Sequence, residues 1–118
     1  MKKLYRLLKS SEFKSVLDKR HCILKDSSFS IYYAGNDLTH VRIGISVSNK
    51  IGDAVTRVRI RRQIRAMIAD INKDYNCYSF NEDVVIIVRS GFTSKTYQEN
   101  KLVLSNVFAS LLNMRNEK

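Results

Sequence analysis

The sequence predicts a single α+β domain in which a small mixed sheet packs against helices. Residues Val41–Val47 alternate strictly between apolar and other side chains, as in a strand with one buried face. Asp83–Arg89 (DVVIIVR) is almost continuously apolar, as in a central strand covered by helices. A long amphipathic helix is predicted between them, and a strand–helix–strand passage of this kind makes its two strands parallel neighbours.

One domain accounts for residues 1–118. A chain of this length can bury a core without disulfides or metals. It contains no internal repeat, no low-complexity tract and no proline, so nothing marks a second domain or a long linker. The predicted order of elements is α-β-β-(β)-α-β-α, in which the bracketed strand is optional.

The first helix is predicted to begin after Ser10, whose hydroxyl can cap it, with Glu12 in the first turn against the helix dipole. Phe13, Val16 and Leu17 then follow at helical spacing and form its apolar face.

Two strands are predicted next. Phe29–Ala34 (FSIYYA) is aromatic and β-branched, and Gly35-Asn36-Asp37 has the composition of a turn. The alternating segment Val41–Val47 follows, with Arg42, Gly44 and Ser46 on the face opposite its apolar residues. We expect these two strands to form an antiparallel hairpin.

The central helix is predicted from about Ala54 to about Asn72, with Asp53 as its N-cap. One stripe of this helix is apolar, at positions i, i+4, i+7, i+8 and i+11. The members of the stripe are Ile60, Ile64, Met67, Ile68 and Ile71. This side is expected to pack on the core.

The same helix carries five arginines within nine residues, while Asp53 is the only acid in Lys50–Arg65. Such a cluster is costly unless a polyanion neutralises it, and planar guanidinium groups bind phosphate bidentately. A merely solvated basic face is the alternative, but no acids stand at helical spacing to compensate. The five are Arg57, Arg59, Arg61, Arg62 and Arg65.

The last helix is predicted to open with the capping box Thr96-x-x-Glu99. Its inward residues are Leu104, Val107, Phe108, Leu111 and Leu112.

The composition favours a nucleic-acid partner. Lys and Arg total 21 against 11 Asp and Glu, a formal net charge of +10. Cys22 and Cys77 cannot form a tetrahedral zinc site alone, and we interpret both as free thiols, with no metal site. The longest apolar run, Val84–Val88, is far too short to span a membrane. We therefore expect a cytoplasmic protein that does not bind membranes.

No catalytic constellation is visible. Glu82 and Asp83 are adjacent carboxylates that would alternate across a strand, so we interpret them as a polar strand entrance. Aromatic side chains at Phe13, Phe29 and Tyr32 could instead line a surface on which bases stack. The alternative is that Phe13 and Phe29 belong to the core, which is favoured for Phe29. Either Tyr32 or Tyr33 can be exposed, because they occupy opposite faces of the strand.

The segment RIGISVSNKIGDAVTRVRIRRQIR, Arg42–Arg65, resembles the signature of the bacterial ribonuclease P protein subunit. There are two departures from the family pattern. Val58 replaces the usual asparagine between the first two arginines, and Leu17 replaces an aromatic residue one turn after Phe13. The matching positions are Gly44, Ser46, Val47, Ser48, Lys50, Gly52, Ala54, Val55, Arg57, Arg59, Arg61, Arg62 and Arg65.

The resemblance implies a compact α/β sandwich with a left-handed crossover around the arginine helix and a cleft between the sheet and the first helix. It implies a protein that assists a catalytic RNA in removing the 5′ leader of precursor tRNA. Mg²⁺ would be bound mainly by that RNA, no protein partner would be required, and the protein alone would not cleave.

By matching position, the resemblance also assigns residues to two surfaces. The leader-binding set is Phe13, Leu17, Tyr32, Arg61 and Arg65. The set that binds the catalytic RNA is Lys50, Arg57, Arg59, Arg61, Arg62 and Arg65.

Three other functions remain open at this stage. A ribosomal or other structural RNA-binding protein would share the composition but not the long signature. A protein nuclease would use Glu82 or Asp83 and would cleave without RNA. A helix-turn-helix DNA-binding factor needs a helix just before the arginine helix, where the sequence instead predicts a strand.

Overall fold

The computed structural model describes residues 1–116, which form a four-stranded mixed sheet and three helices. The order of strands in the sheet is β1-β2-β4-β3, and all neighbours are antiparallel except β3 and β4. This confirms the predicted α+β class. The helices are α1 (Ser10–Asp18), α2 (Ala54–Tyr75) and α3 (Tyr97–Asn116), and the strands are β1 (Cys22–Lys25), β2 (Phe29–Gly35), β3 (Arg42–Ser46) and β4 (Glu82–Val88).

The predicted hairpin between the strands at 29–34 and 41–47 is wrong, because β4 lies between β2 and β3. Ile86 of β4 is opposite Ile31 of β2 on one side and Ile45 of β3 on the other. β4 is apolar on both faces and almost entirely buried, so it gains most by occupying a central position. The parallel pairing of β3 with β4 is confirmed, and the left-handed course of the connection through α2 stays a prediction.

One edge of the sheet is a short strand, and the other edge is covered by the N-terminal segment. At one edge lies β1, a strand of four residues that was not predicted at this place; it pairs with β2 and leaves a bulge between Cys22 and Leu24. At the other edge the N-terminal segment runs parallel to β3, where the Leu7 N–H donates to the Ile43 carbonyl over 3.0 Å. Such edge protection limits pairing with other chains.

The larger core lies between the sheet and the pair α2 and α3. All five residues of the predicted apolar stripe of α2 are buried in it, and Phe29 is fully buried, which confirms its core alternative. Of the five inward residues predicted for α3, four are buried and Leu112 is partly buried at the periphery.

The smaller core lies on the opposite face, under α1. Leu7, Val16, Ala34 and Val85 are its buried members. The partly buried side chains packed around them are Phe13, Leu17, Tyr32 and Ile87. The apolar face predicted for α1 is therefore confirmed.

Helix ends follow the predicted caps at two of three places. The Asp53 carboxylate accepts from the Thr56 N–H at 2.8 Å at the start of α2, which continues to Tyr75 rather than ending near Asn72. Thr96 and Glu99 exchange the two hydrogen bonds of a capping box at the start of α3.

The cap predicted for α1 is wrong. Ser10 is the first helical residue, and the cap position belongs to Lys9. The Glu12 carboxylate accepts from the backbone N–H groups of Leu8 and Lys9, which satisfies the helix start without a hydroxyl.

Candidate nucleic-acid interface

A glycine on β3 makes room for the aromatic ring of α1. Gly44 lies on the α1 face of the sheet, and a Cβ atom built on it would be 2.4 Å from Cζ of Phe13. Carbon atoms pack at about 3.5–4.0 Å, so the ring can lie on this strand only because residue 44 has no side chain. The alternation of β3 predicted the face of Gly44, but its contact with Phe13 was not foreseen.

An open cleft of about 600 Å³ lies between the end of α1 and the sheet. Leu17 and Tyr32 line it, so the structure brings together two of the predicted leader-binding residues and packs Phe13 in the same cluster. Tyr33 points to the other face and lies 5.4 Å from the His21 ring, measured between centroids. Tyr32 is therefore the tyrosine available for stacking in the cleft.

Two basic side chains of this cleft were missed by sequence reasoning. Arg20 and Lys25 line it together with Cys22 and Ile87. Arg20 adopts a φ of 55°, in the left-handed region, where the chain turns from α1 into β1. Because β1 has only four residues and none of them is buried, its sequence pattern carries no signal that could have placed these residues.

An ion-pair network anchors α1 to the sheet next to the cleft. Arg42 donates to the Asp83 carboxylate at 2.9 and 2.6 Å and to the Glu12 carboxylate at 2.5 Å. The hydrogen bonds that Arg42 donates to Asp83 are the main cause that raises the pKa of Arg42. Glu12 has a lowered pKa, chiefly because of the Lys9 N–H and further because of Arg42.

The network corrects the interpretation of Asp83 as part of a polar strand entrance. Glu82 and Asp83 both begin β4 but are buried, at 5% and 8% exposure. Asp83 faces α1 and also accepts from the Asn36 side-chain amide at 2.8 Å. Its role is to hold Arg42 and the adjoining loop, since a buried carboxylate needs such partners.

The predicted RNA-binding residues at the start of α2 lie on an open surface. Lys50, Arg59 and Arg62 are exposed, whereas Arg57 turns back to donate from Nη1 to the Gly52 carbonyl at 2.9 Å. Val58 is 51% exposed between them, which confirms its predicted place outside the core. Arg59 and Arg62 flank a shallow groove of about 430 Å³ whose floor is apolar.

Arg61 and Arg65 lie on another flank of α2, near the N-terminal segment. The pKa of Arg65 is lowered by burial and then by repulsion from Arg6 and Arg61. Neither Arg61 nor Arg65 lines the cleft in the part of the chain from 1 to 116, so the structure groups them with Arg6 rather than with Phe13 and Tyr32. Their assignment to the leader stays a prediction.

Within residues 1–116 no group of three or more His, Cys, Asp and Glu side chains is arranged to hold a metal ion. Cys22 and Cys77 are free thiols, as predicted. Cys22 is exposed and Cys77 is buried, and burial raises the pKa of Cys77 to about 12. None of the helices described combines the length and apolar character needed to cross a bilayer.

Residues 1–112 match the sequence profile of the family described as Ribonuclease P. The chain belongs to this family. The ribonuclease P protein component of Mesoplasma florum is 38% identical over 112 residues, which cover 95% of this chain and 99% of that protein. The component of Streptococcus thermophilus is 36% identical over 99 residues, covering 84% and 85%.

Solved structures of ribonuclease P proteins share the fold. A Staphylococcus aureus ribonuclease P protein mutant with defective mRNA degradation activity is 30% identical, with a TM-score of 0.69 over 97% of this chain and 90% of that one. The Thermotoga maritima protein superimposes with a TM-score of 0.74 over 87% and 94%, at 23% identity, and supports the fold alone. Membership of the ribonuclease P family implies an RNA partner in a ribonucleoprotein and a part in tRNA processing.

Proposed function

We propose that this chain is the protein subunit of a cytoplasmic ribonuclease P that binds both the catalytic RNA and the single-stranded 5′ leader of precursor tRNA. The observation that carries the proposal is the pair of surfaces on opposite faces of the sheet: a cleft lined by Tyr32, Arg20 and Lys25 on the α1 face, and exposed arginines on α2 on the other. A cleft of this kind suits a single strand, and an exposed basic helix suits a folded RNA.

In the cleft, bases of the leader stack on Tyr32 and contact the Phe13 ring and Leu17. Stacking is tolerant of sequence because every base presents a planar face. Arg20 and Lys25, which line the cleft, contact the phosphates of the same strand. The subunit would therefore grip leaders of many sequences, as a processing enzyme with many precursors requires.

On α2, the exposed Lys50, Arg59 and Arg62 neutralise phosphates of the catalytic RNA, with Arg57, Arg61 and Arg65 on the adjoining flanks. Cations supplied by the protein replace counterions that a folded RNA otherwise takes from solution. The RNA and the Mg²⁺ that it binds carry out the hydrolysis, and the protein contributes affinity and electrostatic support.

The test is to add the pure protein to the catalytic RNA of the same organism and to measure leader removal over a range of Mg²⁺ concentrations. We expect stimulation to be strongest at low Mg²⁺ and moderate salt, and the protein alone to cleave nothing. A structural RNA-binding protein would bind without stimulating, and cleavage by RNA-free protein would indicate a nuclease. Either result would overturn the proposal.

A matched pair of variants tests the basic surface. Arg62 and Lys73 are both exposed residues of α2, and changing either to glutamine removes one charge. Arg62→Gln should lower the slope of log affinity against log salt by about 0.7–0.9, the contribution of one phosphate contact. Lys73→Gln, at the far end of the helix, should leave the slope unchanged.

A further inference from the structure

A second cavity lies on the other side of the sheet from the cleft, between α2 and the start of α3. Its volume is about 260 Å³, just below the range of pockets for drug-sized ligands, which suits a single planar group. Its lining includes Arg59, Gln63, Phe92, Lys95, Tyr97 and Asn100.

Asn100, one of the residues that line this cavity, has a buried hydrogen-bond acceptor without a partner in the part of the chain that the structure describes. Its side chain is 1% exposed, and its Nδ2 donates to the Phe92 carbonyl at 3.0 Å. Because a carbonyl can only accept, this bond sets the orientation of the amide. Oδ1 is then left with no hydrogen-bond partner among residues 1–116. A buried acceptor of this kind is unfavourable until an N–H or O–H group reaches it.

The surroundings of Asn100 are cationic. Arg59 and Lys95 both line the cavity, and the N-terminus of the 20-residue α3 adds a partial positive charge. Glu99 is next to this site along the chain, but its carboxylate accepts from the Thr96 N–H at 3.0 Å and does not line the cavity. An anionic group is therefore favoured at the mouth of the cavity.

Tyr97 and Gln63 add two further features. The Tyr97 side chain is 38% exposed and lines the cavity, so its ring is available for stacking. Gln63 can both donate and accept. A ligand that meets all these groups has an anionic part, a planar part and an N–H donor, and a nucleotide has all three.

We propose that this cavity receives one unpaired nucleotide of the catalytic RNA, and the inference rests on the proposed function. The side chains that bury Asn100 Oδ1 move aside, the base donates an N–H to this atom and stacks on Tyr97, and the phosphate lies between Arg59 and Lys95. Arg59 lines both this cavity and the groove that it shares with Arg62, which makes the cavity continuous with the basic face of α2. The leader cleft is on the opposite face of the sheet, so the catalytic RNA is the favoured source.

The first experiment titrates the full chain with adenosine 5′-monophosphate and follows the Asn100 side-chain amide by ¹⁵N nuclear magnetic resonance. We expect saturable shifts of Asn100 and Tyr97. Purine riboside 5′-monophosphate lacks the exocyclic amino group and should bind roughly tenfold more weakly, the effect of one lost hydrogen bond. Unmoved Asn100 signals, or equal shifts with ribose 5-phosphate, would overturn the proposal.

The second experiment measures binding of the catalytic RNA to variants on α3. Tyr97→Ala should weaken binding about tenfold, and Tyr97→Phe should restore it because the ring still stacks. Leu102→Ala removes a side chain of the same helix that is 62% exposed and serves as the matched control. The preference for leader-bearing precursor over mature tRNA should not change in any variant.

The outcomes separate the two proposals. If the wild-type chain stimulates its RNA partner and Tyr97→Ala binds that RNA with unchanged affinity, the nucleotide site is wrong and the proposed function stands. If the wild-type chain neither binds nor stimulates the catalytic RNA, the proposed function is wrong and so is the RNA as the source of the nucleotide. A selective loss of leader discrimination in Tyr97→Ala would instead assign the cavity to the precursor and refute the catalytic RNA as its source.

Discussion

Replacing Gly44 by alanine tests the link between the fold and the leader cleft. The new Cβ would be 2.4 Å from Cζ and 2.5 Å from Cε2 of Phe13. Since carbon atoms pack at about 3.5–4.0 Å, the tip of the ring must move by about 1 Å or more. The ring is the far end of a side chain, so it can tilt away from β3, but it must then leave its packing in the smaller core.

We expect Gly44→Ala to lower the free energy of unfolding by about 1–3 kcal/mol, the usual cost of overpacking. We also expect it to weaken binding of leader-bearing precursor, because the displaced ring disturbs Leu17 and Tyr32, which share its cluster and line the cleft. Chemical denaturation measures the first effect, and precursor binding by the assembled holoenzyme measures the second. Mature tRNA, which has no leader, should be bound as before.

Gly35→Ala is the matched control, because a Cβ on Gly35 has no atom within 4 Å. This variant should be neutral or slightly more stable. A double variant, Gly44→Ala with Phe13→Ala, should show strong non-additivity in stability, because removal of the ring abolishes the clash. If Gly44→Ala matches Gly35→Ala in both stability and leader preference, the Phe13 ring does not lie on Gly44 and its position does not support leader binding in the cleft.

Three further predictions concern single side chains. Tyr32→Ala should weaken binding of leader-bearing precursor about tenfold or more, because stacking one base contributes about 1–3 kcal/mol. Binding of mature tRNA should not change, and a loss of affinity for both substrates would contradict the assignment of the cleft to the leader. Val58→Asn should change unfolding free energy by less than about 0.5 kcal/mol and hold or improve stimulation at low Mg²⁺; a loss well above 1 kcal/mol would mean that Val58 is core. Glu12 has a lowered pKa in the folded chain, so its contribution is present above the ordinary carboxyl pKa and is lost as pH falls through the folded value. Glu12→Gln should therefore make stability less dependent on pH in the acid range in urea titrations, and an unchanged profile would show that Glu12 is not coupled to folding.

The local features of this chain could be predicted from the sequence because the interactions that form them join residues close together in the sequence. The apolar stripe of α2, the Asp53 cap and the capping box of Thr96 and Glu99 depend on residues within one or two helical turns. The basic face of α2 is as local, because charge and helical spacing place Arg59 and Arg62 opposite the stripe. Even the error at Ser10 is local, since Glu12 takes over the capping of α1.

The pairing of strands did not follow from the sequence. Alternation shows which face of β3 is buried but not which strand lies beside it, so adjacency along the chain suggested the wrong hairpin. The centre of the sheet goes to β4 because its two apolar faces can be buried only with helices on both sides. That preference is a property of the whole domain.

The sites show the same division. The arginines and Tyr32 were predicted, whereas the contact of Gly44 with Phe13 and the cavity around Asn100 join residues far apart in the sequence. Asn100 looks like any polar residue of a helix, and its free acceptor exists only because the Phe92 carbonyl binds the other end of the amide. Close packing creates such groups by excluding water from them, and water is excluded only after distant segments have met.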